Sequence, residues 1–420
     1  MARAYLPRLA DAALDERLGR IGAVVIEGVK GCGKTETARR RASSEVCFDL
    51  DEAARETAAI APTNVLAGAV PRLLDEWQIV PSLWNAVRRA VDERGLDGQF
   101  ILTGSARPSD DITRHSGAGR FSRLRMRTMT LAESGLSSQQ VSLTALLAGQ
   151  TDVAGQAAMT LDDLISETCH GGWPVDRQRT TAAARRNVAD YVAEIANADI
   201  RTVDGVRRDP ERVLALMRAL ARNTATQAQT TTLAQDATDG RVQLSADTAV
   251  DYLQALERLM VVEPLTSWSP VLRSKARLRR AVKHHFVDPA ITASLLGAGV
   301  DELRCDLKTY GFLFKSLAIR DLRVYAGAAG ATVHHYRDSN DLEVDAIVDG
   351  GFERWAAFEI KLGGSSAVID KAADHLTAFA RTVDSQSSGR PKLLAVLTGQ
   401  GYAYTRPDGV AVIPLAVLGA

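Results

Sequence analysis

The feature that most constrains this chain is Gly28-Val-Lys-Gly-Cys-Gly33-Lys34-Thr35, which satisfies G-x-x-x-x-G-K-[ST] at every fixed position. A loop of this kind works only between a strand and a helix. Its glycines let the backbone wrap closely round a phosphate, so that successive N–H groups point inward. A helix starting near Lys34 adds its positive N-terminal end. The flanks comply, because Ala23-Val-Val-Ile-Glu27 reads as a buried strand and a helical run follows Lys34. The motif therefore implies an α/β domain and a nucleoside triphosphate ligand, with ATP and Mg²⁺ the expected pair. Gly28, Gly31, Cys32, Gly33, Lys34 and Thr35 form the expected cradle. In it Lys34 reaches the β- and γ-phosphates, and the Thr35 hydroxyl is the first Mg²⁺ ligand. Base specificity lies outside the loop, so GTP stays open.

The neighbouring segments extend this reading. Further strands are expected at Glu45–Asp49, Val70–Asp75 and Gln99–Thr103, with another at Arg123–Arg127. Leu73-Leu74-Asp75-Glu76 ends one of them in two carboxylates. The first, Asp75, is placed to join the Mg²⁺ shell, and Glu76 is the candidate base for the attacking water. Thr103 and Ser105 end the next strand at the same edge, where a hydroxyl can position water or simply make a turn. Arg120 lies just ahead of the last strand, where an oligomeric ATPase places an arginine into a neighbour's site; a solvated surface arginine is the plain alternative.

At 420 residues the chain exceeds one typical domain. Fifty-one basic residues balance fifty-one acidic ones, so any nucleic-acid contact must come from a local patch. Cys32, Cys47, Cys169 and Cys305 form no CxxC pair, which argues against zinc or a disulfide framework and fits a reducing cytoplasm. No stretch is long and apolar enough for a membrane helix, so no membrane partner is expected. From about Thr151 the strands are expected to give way to helices. Thr230–Ala237 is one, broken by Asp239-Gly240, and Ser245 caps Ala246–Leu259, whose Val250, Leu253, Leu256 and Leu259 would face a core. Short runs from Val261 to Val287 read as a hairpin, and helix, turn, helix and hairpin together suggest a winged helix. The last 110 or so residues return to α/β. A helix is expected at Gly311–Tyr325, strands at Thr332–Tyr336, Leu342–Val348, Arg354–Lys361 and Lys392–Leu397, and a helix at Ser366–Val383. The expected division is an ATPase domain over 1–150, a helical connection over 151–208, a winged-helix region over 209–292 and a final α/β domain over 293–420.

Several segments occur in an order that resembles a family of AAA-type bacterial and archaeal ATPases with a C-terminal domain of unknown function. They are Tyr5-Leu-Pro-Arg8, Val25-Ile-Glu-Gly28, Leu74-Asp-Glu-Trp-Gln78, Ile101-Leu-Thr-Gly-Ser105, Gly119-Arg-Phe121, Thr130-Leu-Ala-Glu133, Gly171-Gly-Trp-Pro174, Tyr252-Leu-Gln-Ala-Leu-Glu257, Lys283 with Phe286-Val-Asp-Pro289, Gly311-Phe-Leu-Phe314, Glu343-Val-Asp345 and Glu359-Ile-Lys361. The resemblance implies an ATPase domain, a winged-helix domain and a C-terminal domain similar to PD-(D/E)XK nucleases, that is, a restriction-endonuclease-like α/β fold.

The residues support that layout. Asp345 and Glu359-Ile-Lys361 fall fourteen positions apart on adjacent expected strands, and period-two spacing puts Glu359 and Lys361 on one face. Asp345 and Glu359 are the candidate ligands of a second Mg²⁺, with Lys361 beside the attacking water. The family carries Glu where this chain has Lys315, so cleavage is expected to be weak or absent. The cluster between Arg273 and Lys283 is the candidate DNA contact, with Trp268 just ahead of it. A nuclease under ATPase control and a non-catalytic ATP-dependent docking module are the alternatives to an ATPase that drives the C-terminal half. A homo-oligomer would be needed for Arg120 to act.

Overall fold

The computed structural model describes residues 4–105, 117–238, 242–270, 282–338 and 341–420. Its first sheet is wholly parallel and comprises β1 (Ala23–Gly28), β2 (Ser44–Cys47), β3 (Arg72–Asp75), β4 (Phe100–Gly104) and β5 (Phe121–Met126), in the order β2-β3-β4-β1-β5. Burial on both faces explains why β1 is an unbroken apolar run rather than an alternating one. Val24 and Ile26 enter one core cluster, Ala23 and Val25 another. The second cluster is closed by α3 (Leu83–Arg94), while α1 (Leu9–Leu18) packs on the other face beside β5. The helix after the glycine-rich loop is α2 (Lys34–Arg39).

Two short strands follow, β6 (Val141–Ser142) and β7 (Gly155–Gln156), and then a helical stretch. Its main members are α4 (Leu161–His170), α5 (Thr181–Glu194), α6 (Pro210–Arg222), α7 (Thr230–Ala237) and α8 (Ala246–Arg258). Thr160 caps α4 through Asp163 N–H while Asp163 caps back, and Ser245 caps α8 through Thr248 N–H. On α8, Leu253 and Leu256 are buried as the periodicity predicts and Leu259 is buried just beyond, but Val250 is exposed, because the core covers a narrower stripe than four positions. The antiparallel pair β8 (Val262–Leu265) and β9 (Lys283–Phe286) comes next; residues 271–281 between them, and the predicted break at 239–240, lie outside the described residues. A short helix, α9 (Pro289–Leu295), precedes α10 (Leu307–Ala328).

The second sheet contains β10 (Thr332–Arg337), β11 (Glu343–Asp349), β12 (Trp355–Lys361), β13 (Leu393–Thr398), β14 (Tyr402–Thr405) and β15 (Ala411–Pro414), with α11 (Ser366–Thr382) between β12 and β13. Its order is β10-β11-β12-β13-β15-β14-β7, so β7 closes one edge by pairing with β14. β6 pairs in parallel with β16 (Leu418–Gly419). This corrects the expectation that strands stop near Thr151. Leu131, Val141, Leu146 and Val153 share a core cluster with Phe314, Phe358 and Leu397, so the segment around residue 150 packs with the C-terminal sheet. A two-residue strand carries no readable period, and its partner is some 250 positions away.

Buried ion networks tie the first sheet to α10. Asp288 accepts from Thr128 Oγ1 at 2.7 Å, Gly172 N–H at 2.9 Å and Arg320 Nη1 at 3.1 Å. Arg320 also holds Asp321, whose other oxygen receives Leu131 N–H at 3.0 Å; burial pushes the Asp321 carboxyl up to about 6 even so. Glu263 on β8 gathers Arg125 and Arg127 from the first sheet and Arg323 from α10, and although burial opposes it, these three guanidiniums hold its carboxyl well below the usual range. Among the described residues no helix is long and apolar enough to cross a membrane.

Candidate functional site

The loop between β1 and α2 has the backbone that the motif demands. Gly31 and Gly33 have φ of 74° and 102°, in the left-handed region that favours glycine. At Gly28 the constraint is space, since an added Cβ would lie 2.2 Å from the Met126 carbonyl oxygen of β5. Lys34 is buried, and its ammonium donates to the Val29 carbonyl of the same loop at 3.1 Å.

The strand order then brings the acidic residues in. β4 lies between β1 and β3, with Asp75 in register with Thr103. Thr35 Oγ1 donates to Asp75 Oδ1 at 2.9 Å, and Thr103 Oγ1 donates to the same oxygen. One carboxylate oxygen thus receives the motif hydroxyl from α2 and a hydroxyl from β4. Glu76 follows in the left-handed conformation, φ 53°, which turns its side chain away from the strand. Its Oε2 receives Gln78 Nε2 and, at 3.3 Å, Ser105 Oγ. The structure thus brings Thr35 to Asp75 and Ser105 to Glu76.

Arg120 does not join them. It precedes β5, and its backbone carbonyl accepts from Ala23 N–H at the start of β1, whereas the phosphate loop leaves the end of β1. Five strand steps separate those edges by about 16 Å. The exposed guanidinium donates to Asp92 Oδ1 at 2.7 Å. It is thus remote from the loop of its own chain.

Three supports of the loop carried no role in the sequence reading. Arg8 donates to the Cys32 carbonyl at 2.6 Å and to the Arg127 carbonyl at 2.7 Å, and it pairs with Glu133. Trp173 donates through Nε1 to the Lys30 carbonyl at 3.2 Å. Lys30 itself pairs with Asp199 at 2.6 Å. Arg8 and Trp173 lie in Tyr5-Leu-Pro-Arg8 and Gly171-Gly-Trp-Pro174, two segments of the resemblance whose chemistry no spacing rule discloses.

A second constellation lines a cavity of about 900 Å³ at the C-terminal sheet. β11 and β12 place Asp345 and Glu359 on neighbouring strands, and Ile360 N–H donates to Asp345 Oδ2 at 3.0 Å. Cations hold both carboxylates. Lys315 Nζ from α10 lies 2.6 Å from Asp345 Oδ1; Lys361 Nζ is 2.6 Å from Glu359 Oε2 and 3.8 Å from Asp345 Oδ2; His375 Nδ1 is 3.0 Å from Glu359 Oε1. Burial would raise the Asp345 carboxyl, but Lys315, Lys361 and Lys283 lower it to about 2. The hydrogen bond to Glu359 raises His375 above its ordinary range. Both candidate ligands of a second metal, Asp345 and Glu359, thus have ammonium groups against their oxygens. Among the described residues no group of three or more His, Cys, Asp or Glu is placed to hold a metal ion.

Most of the basic cluster falls outside the described residues, namely Arg273, Lys275, Arg277, Arg279 and Arg280. Lys283 is buried in an ion pair with Glu343. Trp268 is buried against Trp355 with Nε1 on Asp349 Oδ2 at 3.0 Å, so it is a core residue of the C-terminal sheet and no surface aromatic.

Sheet order, loop backbone and the Thr35–Asp75 contact are those of a P-loop NTPase-like domain. A family model described as an AAA domain matches residues 21–135. Residues 161–302 match a domain of unknown function, DUF8612, and residues 310–418 match another, DUF4143. Uncharacterized proteins of Mycobacterium bovis and Mycobacterium tuberculosis are each 25% identical over 387 residues, covering 86% of this chain and 77% of theirs. A solved Walker-type ATPase of Pyrococcus abyssi aligns with a TM-score of 0.41 at 11% identity, covering 70% of this chain and 96% of its own.

Proposed function

We propose that this protein is a Mg²⁺-dependent ATPase whose nucleotide state is relayed through α10 to its C-terminal half. The observation that carries the reading is the 2.9 Å contact between Thr35 Oγ1 and Asp75 Oδ1. A hydroxyl and a carboxylate brought together beside a phosphate loop are the hard oxygen donors that Mg²⁺ prefers, so the residues fit the ion. Bound there, the ion would neutralise charge on the β- and γ-phosphate oxygens. The loop N–H groups and Lys34 hold the phosphates. Thr103 fixes the Asp75 carboxylate, while Gln78 and Ser105 aim that of Glu76, which accepts the proton of the attacking water.

Arg120 acts, in this reading, only in a second copy of the chain, since it stands at the sheet edge opposite its own loop. The four units at 1–150, 151–208, 209–292 and 293–420 remain our proposed division, with the pairings of β6 and β7 crossing the first boundary. Three helices followed by an antiparallel pair support a winged-helix-like region. The arrangement does not favour α8 as a DNA reader, because its exposed face carries Asp247, Asp251 and Gln254. The C-terminal half is nuclease-like in layout and, with its carboxylates paired to lysines, non-cleaving. The test is ATP hydrolysis by the full chain with and without Mg²⁺, beside Asp75→Asn. Activity that is Mg²⁺-dependent and lost in the variant supports the proposal; unchanged activity in the variant would refute the role of Asp75.

A further inference from the structure

Lys30 occupies the third position of the phosphate loop, which the motif leaves open, yet the structure holds this residue from outside the loop. Its Nζ lies 2.6 Å from Asp199 Oδ1, and its carbonyl accepts from Trp173 Nε1 at 3.2 Å. Trp173 also covers Gly31, where an added Cβ would stand 3.2 Å from the indole Cδ1. The indole in turn meets Tyr191 of α5, with ring centroids 5.2 Å apart. Lys30, Gly31, Trp173, Tyr191 and Asp199 line one cavity of about 480 Å³.

Asp199 ends a π-helical turn, Ile195–Asp199, that continues α5. Such turns are rare and recur at functional sites, where an extra residue interrupts the regular ladder of a helix. This one is anchored, because Ile195, Ala196 and the following Ile200 share a core cluster with Val29 and Cys32 of the loop. A change at Asp199 is therefore felt by the packing that joins loop and helix. The ion pair itself is easily exchanged. The Lys30 side chain is 57% exposed and that of Asp199 only 11%, and a pair with so open a cation contributes little to stability. What it fixes is where the ammonium points.

We propose that Lys30 reads the γ-phosphate: it exchanges Asp199 for that group when a triphosphate occupies the loop, and stays on Asp199 with a diphosphate. The inference rests on the ATP-binding reading above. A terminal phosphate carries about two negative charges against the single one of a carboxylate. It is held by N–H groups of the same loop from which Lys30 springs. The flexible four-carbon stem and three rotatable donors of lysine suit such an exchange, whereas the rigid fork of an arginine is shaped to one partner. ADP lacks the γ-phosphate, and Asp199 then keeps the ammonium. With a triphosphate the buried Asp199 carboxylate loses this counter-ion, which loosens the π-helical turn and carries the nucleotide state to α5.

The experiment is calorimetric titration of the full chain, in Mg²⁺, with the β,γ-imido analogue of ATP and separately with ADP. Lys30→Met should weaken the analogue about tenfold, through loss of one charge-assisted contact, and leave ADP within about twofold. Asp199→Asn should act in the opposite sense and tighten the analogue about threefold, because the ammonium no longer has a carboxylate to leave. In the double variant that gain should vanish, so that it binds like Lys30→Met. Hydrogen exchange over residues 195–200 of the native protein should rise with the analogue and not with ADP. A purely structural pair would shift both nucleotides alike. Should Asp199→Asn fold poorly, Lys30→Met and the exchange measurement decide by themselves. Native protein that binds neither nucleotide would refute the ATP-binding reading and this inference with it. Native protein that binds both, with Lys30→Met changing both equally or neither, would leave that reading intact and overturn the role of Lys30.

Discussion

Replacing Lys315 by methionine should destabilise the C-terminal half in a pH-dependent way. The variant keeps most of the side-chain stem but removes the ammonium that stands 2.6 Å from Asp345 Oδ1. Asp345 is 7% exposed and keeps Lys361 only at 3.8 Å, so its charge would be left largely unbalanced. Asp345 titrates at about 2 when folded. Its unfolded value is about 3.9, and a displacement of that size is worth about 2.6 kcal/mol at neutral pH. Lys315 is the first of three lysines that lower it, and it is itself 28% exposed, so we expect the loss to be about 1–2 kcal/mol. The sign follows from the depression: the stabilisation is fully present above pH 4 or so and disappears as pH falls towards 2. The difference between native and variant should therefore be largest at pH 6–7 and should shrink below pH 4. Thermal melts at fixed ionic strength across that range measure it, and at neutral pH the shift should be about 2–8 °C. A difference that stays constant down to pH 3 would show that Lys315 acts through packing and would refute the electrostatic argument.

Lys34→Ala should abolish binding of a fluorescent ATP analogue, because the phosphates lose the motif's ammonium; binding within about threefold of native would exclude Lys34 as a phosphate ligand. Glu76→Gln should bind ATP normally yet turn over at least about 100-fold more slowly, and Gln78→Ala, which releases Glu76 on one side, should lower kcat about tenfold with KM nearly unchanged. Arg120→Ala should keep its affinity and lose turnover, and mixing it with Lys34→Ala protein should restore part of the activity; no recovery between subunits shown to exchange would remove action in trans. Plasmid and single-stranded DNA should survive incubation with the protein in Mg²⁺ or Mn²⁺, and cutting that disappears in Asp345→Ala would show the ammonium groups to be displaceable.

What the sequence determined by itself is local. Gly31 and Gly33 take up left-handed φ that favours glycine, the motif asks for a hydroxyl after Lys34 and Thr35 supplies it, and the apolar run of β1 is buried on both sides. Each of these follows from a few consecutive residues, so the P-loop and the strand ending in Asp75 and Glu76 were legible. Non-local pairing was not. The insertion of β4 between β1 and β3 decides that Thr103 touches Asp75 and that Glu76 meets Ser105. The edge pairing of β7 with β14 joins residues 155–156 to 402–403. The direction of Lys315 likewise depends on how α10 lies across β11, and only there does a lysine in a helix become the counter-ion of Asp345. Trp268 makes the same point: it stands just ahead of a run of arginines in the chain, yet it is buried against Trp355 of the C-terminal sheet. Sequence spacing fixes which residues share an element's face, whereas the partner across that face is set by chain crossings that local periodicity does not encode.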